Sequence, residues 1–159
     1  SERLPVRKTT GVALTLTSIG VTLLLLSTGA NSNSELQITR VIDGDTVVGY
    51  IDNKQETVRL IGVNAPEIGA CYALQAKQML AHMTLGNKLQ VETEKDKRDN
   101  YGRLLLNIYR DDGRLINEVL VSEGVAVQMA VAPNHKYINT LHKAEVKASR
   151  YGLGLHSRC

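Results

Sequence analysis

Between Val41 and Glu67 the chain reads VIDGDTVVGYIDNKQETVRLIGVNAPE, and most of its reactive side chains sit in or beside this stretch. Asp43 and Asp45 flank a glycine in a tight acidic turn. Arg59 stands inside the run Thr57-Val58-Arg59-Leu60-Ile61, and Asn64-Ala65-Pro66-Glu67 follows. Carboxylate, amide and backbone oxygens are what Ca²⁺ or Mg²⁺ accepts. A guanidinium beside them suits a phosphate.

Each residue also has a plainer reading. Asp-Gly between apolar runs is an ordinary hairpin turn. A helix–loop–helix calcium loop is excluded, because Val47 stands at the third ligand position and no Glu closes a twelve-residue frame. Arg59 faces away from Val58 and Leu60. Inside a small barrel it needs an anion, and outside it needs nothing; the pattern leaves both open. Arg103 follows Tyr101-Gly102 and is either a second phosphate ligand or a solvated charge at a strand start. The four histidines, at 82, 135, 142 and 156, share no metal-binding spacing. There is no phosphate-binding glycine loop, no nucleophile elbow and no paired-cysteine zinc site.

The elements that must position these residues are short. Leu36 to Ile42, Thr46 to Ile51 and Glu56 to Val63 read as a three-stranded meander, turned at Asp43-Gly44 and at Asp52-Asn53-Lys54. In a meander the first turn and the end of the third strand lie at one end of the sheet, so Asp45 and the 64–67 loop can meet. Ala76, Met79, Leu80 and Met83 share one helical face, and Gly86 ends that helix. Lys88 to Thr93 and Leu104 to Tyr109 are two further strands, joined by the charged connection 94–100. Leu115, Val119 and Leu120 mark a short helix stopping at Gly124. Val125 to Val131 is extended and broken at Pro133-Asn134. Tyr137, Leu141, Ala144, Ala148 and Tyr151 stripe a third helix. Five short strands with a helix between the third and fourth predict a small α+β domain, a closed five-stranded OB-type Greek-key barrel with three helices.

With 159 residues, 43% of them hydrophobic, the chain suffices for one domain. Its formal net charge is +3, but residues 1–30 carry three basic side chains against one acidic. The remainder has 16 basic and 15 acidic residues, so any polyanion must be held by local arginines. Arg7-Lys8 precede the uncharged run Gly11 to Leu26, and Ser27-Thr28-Gly29-Ala30-Asn31 follow. This is the order of a targeting segment, either a cleaved signal over 1–30 or a retained membrane anchor over 9–30. Residues 31–35 then read as a linker and 36–159 as the domain. The expected location is secreted or otherwise extracytoplasmic, with membrane contact only if the segment is retained. Cys71 and Cys159 could form one disulfide in such a compartment, pinning the end of the sequence to the loop after Glu67; two unpaired thiols are the alternative.

Five ordered blocks, VIDGDTV, VRLIGVNAPE, DNYGRLLLNIY, INEVLVSEGVA and KAEVKASRYGLGL, resemble the staphylococcal nuclease (thermonuclease) family from about Ile38 to Leu155. The resemblance implies a five-stranded barrel with three helices and Ca²⁺-dependent hydrolysis of DNA and RNA of low sequence specificity, by a monomer, with Mg²⁺ or another divalent metal as the alternative. It implies Arg59, Glu67 and Arg103 as catalytic residues: two phosphate-binding arginines and a glutamate that orients or deprotonates water. It implies Asp45, Asn64 and the Ala65 carbonyl as metal ligands, and Asn100 and Tyr101 as substrate contacts. Five departures stand out, one of them His156 where the family commonly has a Trp. Asn64 replaces the family's usual Asp and Asn100 a basic residue. The 128–132 stretch lacks the tyrosines that pack on a nucleotide, and the loop after Glu67 is short. The alternative function is an OB-fold module that binds nucleic acid without cutting it.

Overall fold

The computed structural model describes residues 34–159. The expected targeting segment 1–30 and most of the linker lie outside the described residues. Among the described residues no helix is long and apolar enough to cross a membrane.

The three-stranded meander forms as β1 (Glu35–Val41), β2 (Thr46–Ile51) and β3 (Lys54–Leu60). The β2–β3 turn is tight because Asp52 and Asn53 both adopt positive φ, 50° and 62°, the backbone that fits the twist of a two-residue hairpin. β1 alternates buried Leu36 and Ile38 with exposed neighbours, then slips one residue at a bulge before Arg40, which brings Val41 back inside. β1 begins at Glu35, one residue inside the expected linker. β5 (Lys88–Glu92) and β6 (Leu104–Tyr109) complete a closed barrel in the order β1-β2-β3-β6-β5. The β3–β6 pair is parallel and all other barrel pairs are antiparallel. The barrel and its three main helices match the expected fold class.

The third strand does not run to Val63 as the pattern suggested. Gly62 takes φ 76° and turns the chain. Val63–Asn64 forms the separate strand β4, paired with β7 (Val127–Gln128). Buried Asn117 holds the break: its amide donates to the Ile61 carbonyl at 2.8 Å, while its oxygen accepts from the Ile108 N–H at 3.0 Å. The break aims Asn64 away from the barrel wall, toward the acidic turn.

Leu36, Val47, Val58, Leu60, Leu89, Leu106 and Ile108 fill the interior. α1 (Ala73–Thr84) adds Ala76 and Leu80 to this core, and α2 (Ile116–Ser122) adds Ile116 and Leu120. α3 (Ile138–Arg150) buries Leu141, Ala144 and Ala148. Tyr151, expected on that stripe, lies past the helix end and is 66% exposed. A fourth short helix, α4 (Leu155–Arg158), was not foreseen. Cys71 and Cys159 are bonded to each other.

The acidic turn is packed on α1 through Gly44. A Cβ at this position would lie 2.5 Å from the Ala76 Cβ and 2.6 Å from the Ala65 Cβ. We therefore expect Gly44→Ala to destabilise the fold by about 1–3 kcal/mol through overpacking. Equilibrium denaturation checks this, and an unchanged midpoint would show that the turn does not need the glycine.

Candidate active site

Asp45 leaves the β1–β2 turn pointing inward and is 6% exposed. One carboxylate oxygen accepts the Ala65 N–H at 2.7 Å, and the other accepts the Thr46 hydroxyl at 2.9 Å. The turn and the 64–67 loop thus meet as the meander geometry required. Arg59, 9% exposed, reaches the same carboxylate with Nη2 at 3.2 Å. Its Nη1 donates to the carbonyls of Leu60 and Val63, at 2.8 and 2.7 Å, and Nη2 also approaches the Asn64 Oδ1 at 3.4 Å. Arg59 lies on the face of β3 opposite the core-filling Val58 and Leu60, yet it is buried there, and its anion is Asp45.

Both members of this pair are shifted toward neutrality. Burial raises the Asp45 carboxyl above its ordinary value, outweighing the opposing effects of Arg59 and the Ala65 N–H. Burial lowers the Arg59 guanidinium against the pull of Asp45, and Arg103 adds a like-charge repulsion. Desolvation exceeds the mutual attraction, as is common for buried ion pairs.

Arg103 opens β6 from the far side of the site. Asp99 holds it by three contacts. One carboxylate oxygen accepts the Arg103 Nε–H at 2.6 Å; the other accepts the backbone N–H groups of Arg103 and Tyr101, at 2.9 and 3.0 Å. Burial alone would raise Asp99, but these hydrogen bonds outweigh it and hold the carboxyl below its usual range. Tyr101, 86% exposed, lies with its ring 5.3 Å from the Arg103 guanidinium carbon. The Arg103 terminal nitrogens have no hydrogen-bond partner among the described residues.

The connection 94–103 is clamped at two further points. Arg98 forms a bidentate pair with Glu56, both contacts at 2.8 Å, and donates to the Gly102 carbonyl at 2.9 Å. Buried Asn134 exchanges two hydrogen bonds with the Asp96 backbone, at 2.9 and 2.7 Å. Asp99, Arg98, Glu56 and Asn134 were not singled out from the sequence. Asp99 had a readable signal, a carboxylate four residues before a glycine-flanked arginine; the others depend on contacts at long sequence separation.

Arg59, Arg103, Asn100 and Tyr101 line one cleft of ≈ 340 Å³, whose remaining wall includes Met129, Val131 and Pro133. That wall is aliphatic, so base stacking on an aromatic ring there falls to Tyr101 alone. Asp45 and Asn64 join the group through Arg59. Glu67 stands on the exposed turn 67–70, three residues beyond Asn64, without a side-chain partner among the described residues.

A divalent metal would meet Asp45, the Asn64 amide oxygen and the Ala65 carbonyl. All are hard oxygen donors, so the chemistry fits a hard cation, which would share the Asp45 carboxylate with Arg59, the Ala65 N–H and the Thr46 hydroxyl. Only one carboxylate is central, however, and among the described residues no group of three or more His, Cys, Asp or Glu is placed to hold a metal. Water and substrate phosphate would have to supply the rest, as they commonly do for Mg²⁺.

Comparison with known proteins shows which sequences the chain resembles. A family described as "Staphylococcal nuclease homologue" matches residues 57–158. The thermonuclease of Staphylococcus hyicus is 31% identical over 128 residues, covering 76% of this chain and 75% of that protein. Endonuclease YncB of Bacillus subtilis is 36% identical over 129 residues, covering 76% of this chain but 61% of that longer relative. The micrococcal nuclease of Shigella flexneri is 34% identical over 147 residues, covering 84% and 80%.

Two outcomes follow for stability. Asp45→Ala leaves Arg59 buried without its counterion and should cost about 3–5 kcal/mol; a loss below about 1 kcal/mol in chemical denaturation would show that water compensates the guanidinium. Glu56 is held down to about 2 from its usual 4.5 by hydrogen bonds from Arg98 and then Lys54. Its contribution is whole above the unfolded value and is lost as pH falls through about 2. Because the pair lies near the surface, that contribution should be under about 1 kcal/mol. Glu56→Gln should flatten the acid limb of stability below pH 4.5; an unchanged limb would dissociate the clamp from acid sensitivity.

Proposed function

Because this chain belongs to the staphylococcal nuclease family, we propose that it is a divalent-metal-dependent phosphodiesterase that cuts DNA or RNA with low sequence specificity. The observation that carries this reading is the pair of guanidinium groups, Arg59 and Arg103, lining one cleft. Each has its own carboxylate, Asp45 and Asp99, but the Arg103 terminal nitrogens remain available to a phosphate. A phosphate there would accept from the free terminal nitrogens of Arg103 and from the Arg59 Nε, its other donors being engaged. Both groups then stabilise charge that gathers on the phosphoryl oxygens. The carboxylate of Glu67, unpartnered and open to solvent, is suited to orient or deprotonate the attacking water. Ca²⁺, or Mg²⁺ in its place, would be held by Asp45, Asn64 and the Ala65 carbonyl and would supply electrophilic stabilisation of the phosphate.

Action outside the cytoplasm is supported by the Cys71–Cys159 bond, since disulfides persist in oxidising compartments, and by the apolar run before residue 31. The domain works as a monomer in this reading; the membrane is a partner only where the apolar run is retained.

A second reading rests on a separate observation. Asn64 carries no charge, and its oxygen already approaches Arg59. The same cleft would then hold a nucleic acid without cutting it. The two readings separate in one assay, with single-stranded DNA, graded Ca²⁺ and Mg²⁺, a chelator control and Glu67→Gln alongside. Metal-dependent cleavage reduced on the order of 10²–10⁴-fold in Glu67→Gln is the expected result. Saturable, salt-sensitive binding without cleavage in either metal would overturn it in favour of the binding module.

A further inference from the structure

Glu67 is the one proposed catalytic side chain that nothing holds directly, so its position depends on where its short turn is anchored. On one side the anchor is Ala65, whose N–H is bound by Asp45. On the other it is Cys71, bonded to Cys159. Between the anchors the chain closes a turn, with the Ala70 N–H donating to the Glu67 carbonyl at 2.9 Å and the Ala73 N–H donating to the Ala70 carbonyl at 3.2 Å.

The second anchor is built up from the body of the domain. The Leu155 N–H donates to the Gly124 carbonyl at 2.8 Å, and the Leu153 N–H donates to the Ala148 carbonyl at 2.9 Å. These bonds fix the segment 153–159 on the ends of α2 and α3. The Tyr72 ring packs on that segment at Gly154. Tyr72 itself sits at φ 69°, ψ 2°, a left-handed backbone that a bulky residue rarely adopts unless its surroundings impose it. What imposes it lies on both sides: the ring contact at Gly154 and the bond at the adjacent Cys71.

We propose that the Cys71–Cys159 bond is a positioning element for Glu67, so that the oxidation state of this pair sets the rate of phosphodiester cleavage. The proposal deepens the nuclease reading and rests on it. Both half-cystines are exposed and open to an external dithiol. A dithiothreitol thiolate attacks one sulfur, and its second thiol closes the ring. The reagent leaves as a cyclic disulfide, and Cys71 and Cys159 are left as two thiols. Tyr72 then loses one of its two restraints, and the Glu67 turn is tied at Ala65 and through the start of α1 but no longer to the 153–159 segment at Cys71.

The test compares the full chain oxidised, reduced with dithiothreitol, and as the Cys71→Ser/Cys159→Ser variant, each with Glu67 intact and with Glu67→Gln. Reduction should lower kcat on the order of 10-fold and move KM by less than about twofold, because water alignment is lost rather than substrate binding. In the Glu67→Gln background reduction should change nothing further; a merely structural role would lower both backgrounds alike. Hydrogen exchange is read on the same samples. The Ala70 and Ala73 amides should exchange faster on reduction, while the barrel amide of Ile61 keeps its protection and shows that the domain remains folded. Equal kcat in both redox states, or equal loss in both backgrounds, overturns the proposal. Absence of cleavage in the oxidised chain rejects the nuclease reading instead, and unchanged Ala70 exchange then rejects the positioning claim on its own.

Discussion

The buried contact between Asp45 and Arg59 constrains everything around the cleft. It joins the β1–β2 turn to β3, and through the Ala65 N–H it fixes where the chain goes after the strand breaks. Such a pair contributes little net stability, because desolvation takes back most of what attraction supplies. Its consequence is geometric. Once both charges are inside, neither can move without leaving the other unpaired. The acidic turn, the end of β3 and the 64–67 loop are therefore held in one arrangement. The cost of that arrangement is visible in both groups, each pushed toward its neutral form by burial.

The two arginines of the cleft are consequently not equivalent. Arg59 spends four contacts on the protein, two to backbone carbonyls, one to Asp45 and one to Asn64. It contributes a fixed positive potential and a single remaining N–H. Arg103 is tied through Nε, which orients the fork and leaves its ends available. Asp99, Arg98 and Asn134 all act on the connection that carries Arg103, so its freedom lies in the side-chain tip and not in the backbone. One arginine is thus part of the frame and the other is the group that can follow a phosphate as charge shifts between its oxygens.

Much of this was legible in the sequence, because it depends on local rules. Period-two alternation marked the strands, Asp-Gly and Asp-Asn marked the turns, and the i, i+3, i+4, i+7 spacing of Ala76, Met79, Leu80 and Met83 marked α1. The meeting of Asp45 with the 64–67 loop followed from meander topology alone. What escaped depends on partners distant in the chain. The break at Gly62 needs Asn117, 55 residues on, to hold it open. A strand pattern of Val58, Leu60, Ile61 and Val63 cannot reveal that its last member pairs elsewhere. The burial of Arg59 was undecidable for the same reason: alternation puts it opposite Val58 and Leu60, but only the partner carboxylate and the covering loops say whether that face is buried.

The departures from the family pattern bear on one another. Losing the charge at position 64 weakens a metal site but also removes a second carboxylate that would compete with Asp45 for Arg59. With Asn64, Arg59 keeps a single counterion and a weak amide contact, so the buried charges balance one to one without a metal. With Asp there, the same pocket would hold two negative groups against one positive, and a cation would be needed for balance. The protein can therefore fold around a closed, neutral pair, and a divalent ion entering beside Asp45 must compete with Arg59 for one carboxylate. Metal affinity and the internal ion pair draw on the same oxygen. In the proposed nuclease reading, a metal here would bind together with the substrate phosphate rather than before it, because the phosphate would supply the negative ligands that the site lacks.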